Sequence, residues 1–211
     1  MCNHGVVQKE SSGPRGGDTR ERLLDVAIEV LGKSPDAGMG EVASAAGVVR
    51  RTVYGYFPSR SELVVALARR AVDEITAVLA EAAPVDKAAD VAWTDFIARL
   101  WPLTHRYRVL VALRRGEFGA DIHALLGTVE QSLTVLVARG QDSGAFGRHL
   151  PASSLSQAAW SAVFTLADDD LHRTEIDVSA VITTSLLMLG VPGSRATVLA
   201  ERVTTLPGQD L

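Results

Sequence analysis

Between residues 32 and 59 the chain carries helix-ending residues at such short intervals that only brief helices fit between them. Gly32 and Pro35 close one helix, Gly47 a second and Pro58 a third. Glycine supplies the turn after a helix, and the residue before a proline avoids helical angles. Ahead of these stops, "DTRERLLDVAIEVLG" begins with Asp18 and Glu21 in a pattern close to a capping box. Leu23, Leu24, Ala27, Ile28, Val30 and Leu31 then recur at helical spacing. The spacing predicts a second helix over "MGEVASAAG", with Val42, Ala45 and Ala46 as its apolar side, and a third from Val49 to Phe57. Ser59 and Glu62 form an S-x-x-E capping box for a fourth, running to about Ala82 before Pro84.

Downstream the pattern stays helical. Segments near 86–104, 105–115, 121–139, 152–171, 177–189 and 194–204 read as helices, with Pro102 expected to break or kink the first and 139–151 expected to be a loop. Hydrophobic residues make up 47% of the 211 and aromatics 5%, with Ala, Val and Leu abundant. The fold class expected is all-α: an N-terminal three-helix helix-turn-helix domain at 18–64, then a helical domain at 65–206. Residues 1–17, rich in Gly and Ser, read as a flexible arm.

The net charge of −4 carries no overall nucleic-acid signal. Residues 1–60 hold 8 basic and 7 acidic residues, and 61–211 hold 13 and 18, so a DNA surface on this chain has to be a local patch. One cysteine, Cys2, makes no internal disulfide, and neither a signal peptide nor a membrane-spanning run of about 20 apolar residues is visible. The expectation is a soluble, cytoplasmic protein.

The third helix, "GVVRRTVYGYF" with its preceding glycine, decides the functional reading. On a wheel of about 100° per residue, Val49, Val53, Tyr56 and Phe57 share a packed side. Arg50, Arg51, Thr52, Tyr54 and Gly55 form the outward set. Arginine donates two parallel bonds to guanine O6 and N7, and Thr and Tyr hydroxyls hold phosphate oxygens. Gly55 costs roughly 1 kcal/mol of helix propensity but leaves room for close approach. Two short helices joined by a tight glycine turn, the second basic and outward-facing, make a helix-turn-helix. Arg60 places a positive charge at the start of the fourth helix, against the dipole, which a bound phosphate would explain.

Residues 19–64, "TRERLLDVAIEV…MGEVASAAGVVRRTVYGYFPSRSELV", resemble the DNA-binding domain of TetR-family (tetracycline-repressor-like) transcriptional regulators. The resemblance rests on "VASAAGV", Thr52, Tyr54, Tyr56-Phe57 and Ser59-Arg60-x-x-Leu63 taken together. It implies a recognition helix at 49–56, with Arg50, Arg51 and Gly55 facing bases, and Thr52, Tyr54, Tyr56 and Arg60 at phosphate positions. Two positions depart from the pattern. Gly38 stands where a Ser or Thr cap is usual, and Val49 where a Ser-like residue opens the recognition helix, weakening that cap by something like 1 kcal/mol. Arg15 in the arm is a candidate for the minor groove.

The resemblance further implies a C-terminal domain that dimerises and often binds a small effector. A dimer presents two recognition helices about 34–36 Å apart and reads a palindrome. The interface candidates lie on the last two long helices: Trp160, Val163, Phe164, Leu171, Val178, Ile182, Leu186 and Leu189. Candidate pocket residues in the middle helices are Trp93, Phe96, Ile97, Trp101, Tyr107, Phe118 and Leu126, with His105 and His123 as polar anchors. No metal-ligand spacing, nucleophile elbow, Walker or dinucleotide motif occurs; Cys2 and His4 lie in the arm, and Asp168 with His172 reads as a solvated helix end. Neither catalytic residues, nor a metal, nor a cofactor is expected. The reading is a homodimeric, DNA-binding repressor released from a palindromic operator by a small molecule. The alternatives are a regulator without an effector, and a helical ligand-binding protein that has lost DNA binding.

Overall fold

The computed structural model describes residues 16–113, 116–167 and 176–204. The arm with Cys2, His4 and Arg15, the Asp168–His172 cluster and the interface candidate Leu171 lie outside the described residues. Among the described residues the secondary structure is ten helices and no strand.

The first four helices are α1 (Gly16–Lys33), α2 (Met39–Ala45), α3 (Arg50–Tyr56) and α4 (Arg60–Ala82). α1 starts two residues ahead of Asp18, so this carboxylate sits in the first turn, where it complements the helix dipole instead of capping the end. α2 begins at Gly38, whose N–H donates to Glu41 Oε2 at 2.6 Å; the acid thus supplies one half of a capping box although the cap residue has no hydroxyl. α2 buries Met39, Val42 and Ala43, while Ala45 is exposed, because the i, i+3, i+4 face fixed by Met39 turns Ala45 outward. Gly47 then takes φ +66, the left-handed angle that closes α2, and the Val48 N–H donates to Ala43 O at 3.0 Å. At α4 one half of the expected box forms: Ser59 Oγ accepts from the Glu62 N–H at 3.1 Å.

The remaining helices are α5 (Ala89–Arg106), α6 (Arg108–Leu113), α7 (Gly119–Asp142), α8 (Ala152–Leu166), α9 (Val178–Met188) and α10 (Gly193–Thr204). α5 runs through Pro102, which was expected to break or kink it. The proline is exposed near the helix end, so its ring points to solvent; the carbonyl it leaves without its helical donor is Ala98 O, while the Thr104 hydroxyl and His105 Nδ1 add bonds to Trp101 O one turn on. α7 extends to Asp142, into the expected loop, because Gly140 leaves the space that the Phe146 ring fills. α4 packs on α1, α5 and α7, and α9 lies among α5, α8 and α10. α4 therefore links both halves of the molecule: Leu63, Leu67, Ile75 and Leu79 all belong to one continuous buried cluster.

Two buried polar groups of the C-terminal core are paired across helices, while the Trp160 Nε1 is buried without a partner among the described residues. Trp93 Nε1 donates to Ser185 Oγ at 3.0 Å, and the buried Asp90 accepts from Arg195 Nε at 2.9 Å, tying α5 to α9 and α10. Leaving such groups unpaired after burial would cost roughly 1–3 kcal/mol each.

Candidate nucleic-acid interface and the adjoining cavity

α3 is held from below. Within the helix only Val53 is buried, and Phe57 follows it into the core at 2% exposure. Full burial of side chains of this kind contributes about 1.5–3 kcal/mol each, enough to seat a two-turn helix that has no capping side chain. Val49 does not share this face. It is the N-cap, with extended φ −76 and ψ 150, and is 62% exposed; the helical wheel applies only to residues with helical angles.

Arg50, Arg51, Tyr54 and Gly55 are exposed, and Thr52 and Tyr56 are half-buried at the margins. Neither Arg50 nor Arg51 has an ion-pair or hydrogen-bond partner among the described residues, whereas Arg60, Arg70 and Arg106 each meet a carboxylate. Arg50 lies against α2. A Cβ added at Gly40 would stand 2.5 Å from Arg50 Nη2, so glycine there makes room for the guanidinium. An "x-G-x" inside the second helix was the available sequence signal for this contact. A Cβ added at Gly55 would meet nothing within 4 Å, so this glycine is not required by packing inside the chain.

Arg60 sits differently from a solvated phosphate ligand. Its Nε donates to Ala37 O at 3.2 Å and its Nη2 to Pro35 O, both in the α1–α2 connection. Its Nη1 donates to Glu117 Oε1 at 3.3 Å, and the guanidinium lies 5.2 Å from the Phe118 ring centroid. The residue thus bridges the helix-turn-helix and the start of α7, which sequence separation alone does not reveal. The loop carbonyls offset the unfavourable charge at the α4 N-terminus.

A second polar cluster joins α1, α4 and α5. Tyr107 Oη donates to Glu74 Oε1 at 2.7 Å, and Arg70 reaches Glu74 at 3.3 Å and Asp25 at 2.7 Å. Arg106 also contacts both carboxylates at 3.3 Å. Burial pushes the Tyr107 phenol well above its ordinary pKa, and the Glu74 bond and charge add to the shift.

The Tyr107 ring forms part of a cavity between α4, α5, α6, α7 and α8. Of the expected pocket residues, Tyr107 and Leu126 line it. Trp93, Phe96 and Ile97 are instead fully buried core, with Phe96 stacked on Trp160 at 5.8 Å. His105 and His123 are exposed and do not line this cavity; His105 is edge-on to the half-buried Trp101 at 5.1 Å. Phe118 is buried beneath Arg60. The lining that sequence reading missed comes chiefly from α4, through Ala68, Ala71, Val72 and Ile75. Small side chains at helical spacing look like ordinary core.

The large interface candidates also turn inward. Trp160, Val163, Phe164, Ile182, Leu186 and Leu189 are buried within the single chain, and Val178 is half-buried. In this conformation they are covered within the chain, because α8 packs on α7 and α9, and α9 on α5, α8 and α10. The exposed large apolar residues of α9 and α10 are Leu187 and Val198.

Residues 23–67 match the model of the tetR family of bacterial regulatory proteins. The helix-turn-helix region of this chain is of the TetR type. Its N-terminal region is similar to the HTH-type transcriptional repressor LfrR of Mycolicibacterium smegmatis, at 43% identity over 74 residues. That match covers 35% of this chain and 39% of the relative. The fold extends the likeness. The structure of LfrR from Mycobacterium smegmatis in complex with proflavine superposes with a TM-score of 0.60 at 23% identity, over 92% of this chain and 98% of that one. The regulator FadR from Bacillus subtilis in complex with stearoyl-CoA gives 0.70 at 18% identity, over 82% and 98%. The fold shared with these two regulators thus extends over the helical C-terminal region as well as the helix-turn-helix. No helix among the described residues is long and apolar enough to cross a membrane.

Proposed function

We propose that this chain is a TetR-family, sequence-specific DNA-binding repressor, working as a homodimer in the cytoplasm and released from a palindromic operator by a small molecule. One observation carries the reading: α3 holds its backbone on Val53 and offers Arg50, Arg51, Tyr54 and Gly55 to the outside, with both arginines free of partners among the described residues. Guanidinium groups that no carboxylate neutralises are available to base edges, where a bidentate pair is worth about 1–3 kcal/mol of discrimination. Thr52, Tyr54 and Tyr56 would hold phosphates beside them. Arg60 would join them only by giving up a carbonyl or Glu117.

The domain division proposed is a helix-turn-helix at 18–64 and an effector and dimerisation region at 65–206. Dimerisation would use the outward residues of α8 to α10, including Leu187 and Val198. A ligand in the cavity would act on Tyr107 and α4, and through Glu74, Arg70 and Asp25 on α1. An effector changes DNA affinity only by binding the two conformations unequally, and factors of 5–150 are typical of such coupling, about 1–3 kcal/mol.

In vitro selection from random duplexes at about 150 mM salt tests the proposal. Enrichment of an inverted repeat is expected. Salt-sensitive binding without any sequence enrichment would overturn the sequence-specific reading.

A further inference from the structure

The cavity beside Tyr107 has a lining whose chemistry restricts what it accepts. Ala71, Ile75, Leu100, Leu110, Leu126 and Phe164 present only carbon. Two lining side chains, Thr104 and Tyr107, carry a polar atom, and both hydroxyl protons are already given away. Thr104 donates to Trp101 O at 2.7 Å, and Tyr107 donates to Glu74 at 2.7 Å. An anionic ligand would therefore meet no free side-chain donor. A cationic one would meet no free carboxylate, since Glu74 and Asp25 are shared between Arg70 and Arg106 behind the tyrosine. A charge moved from water into such a lining stays uncompensated.

Size adds a second restriction. The cavity volume is about 50 Å³, and the cavity is partly open to solvent. A protein cavity of about 150 Å³ lined by Leu, Ile and Phe holds benzene, about three times the room present here. A single-ring ligand therefore enters by moving a wall. The α4 wall carries the smallest lining side chains, Ala68 and Ala71.

We infer that this cavity is selective for uncharged, compact hydrocarbon-like ligands, and discriminates against ions of the same shape. The inference rests on the effector reading above and names the chemical class of the effector. It sets the chain apart from a site that holds its ligand by a counter-charge.

The test is calorimetric titration of the full-length protein with toluene, benzoate and benzylammonium, three ligands of nearly one shape and three charges. Toluene is expected to bind at least tenfold more tightly than either ion. Val72→Phe, at the half-buried margin, and Ala71→Phe, deeper in, should each lower toluene affinity at least tenfold while the circular dichroism stays helical. The Val72 variant carries the test if Ala71→Phe fails to fold. An ion binding within threefold of toluene overturns the inference. So does toluene affinity that the filled variants leave unchanged, and so does failure of all three to bind a chain that still selects an inverted repeat, an outcome that leaves the DNA reading standing. Toluene selectivity with no change in operator affinity upholds the ligand class and removes the effector role.

Discussion

Gly55→Ala should move stability and DNA affinity in opposite directions. The glycine lies within α3 at a negative φ, and an added Cβ meets no atom within 4 Å. Alanine there costs nothing sterically in the free protein and recovers the helix propensity that glycine forfeits, roughly 0.8–1 kcal/mol. For a chain of this size about 1 kcal/mol raises the melting temperature by roughly 2–4 °C. On DNA the same methyl stands on the outward face beside Arg51 and Tyr54. If α3 enters the major groove, the methyl holds the helix away from base edges and weakens at least one contact worth about 1–3 kcal/mol, a loss of roughly 5- to 150-fold in operator affinity. Thermal melting of the free protein and titration of the selected operator measure the two effects on one sample. A stabilised variant with unchanged operator affinity would refute the placement of Gly55 at the DNA. A destabilised variant would refute the geometry of α3 itself.

The two proposed kinds of DNA contact separate by mutation. Arg51→Ala should relax selectivity at one base position, while Arg60→Ala should weaken binding across sequences and flatten the salt slope, so identical selection profiles would remove the distinction. Arg60→Ala should also lower the urea-unfolding free energy by about 1–3 kcal/mol, since its carbonyl and Glu117 bonds tie the α1–α2 connection to α7. The raised Tyr107 pKa favours the protonated phenol in the folded state, so its stabilisation is complete below the ordinary value of 10.0 and is lost as the pH climbs above it. Melting curves from about pH 9 to about pH 11 should fall more steeply for the natural protein than for Tyr107→Phe; parallel curves would contradict the assignment. Gly140→Ala places a methyl inside the Phe146 ring and should destabilise by about 1–3 kcal/mol, read from the melting temperature.

Local chemistry was enough to mark the first four helices. Gly47, Pro58 and the Ser59–Glu62 box act within a few residues of themselves, and the structure places the helix ends of α2, α3 and α4 beside them. The outward set on α3 was legible for the same reason, since a short helix with Val53 inward leaves Arg51 and Gly55 only one direction to face. Val49 escaped this logic because it is a cap, where helical periodicity stops.

Partnerships across distant segments were decided by tertiary packing alone. Arg60 looks like a free cation in sequence, yet Pro35, Ala37 and Glu117 surround it, the last of these 57 residues away. Trp93 and Trp160 carry the same apolar pattern whether they line a pocket, meet a second copy or fill a core; the packing of α5, α8 and α9 put them in the core. The cavity wall came from alanines of α4, residues whose smallness matters only because of what fails to fill the space opposite. Caps and helical faces depend on neighbours in the chain and are therefore written in the sequence. Cavities and bridging charges depend on which surfaces meet, and that is set by the whole core at once.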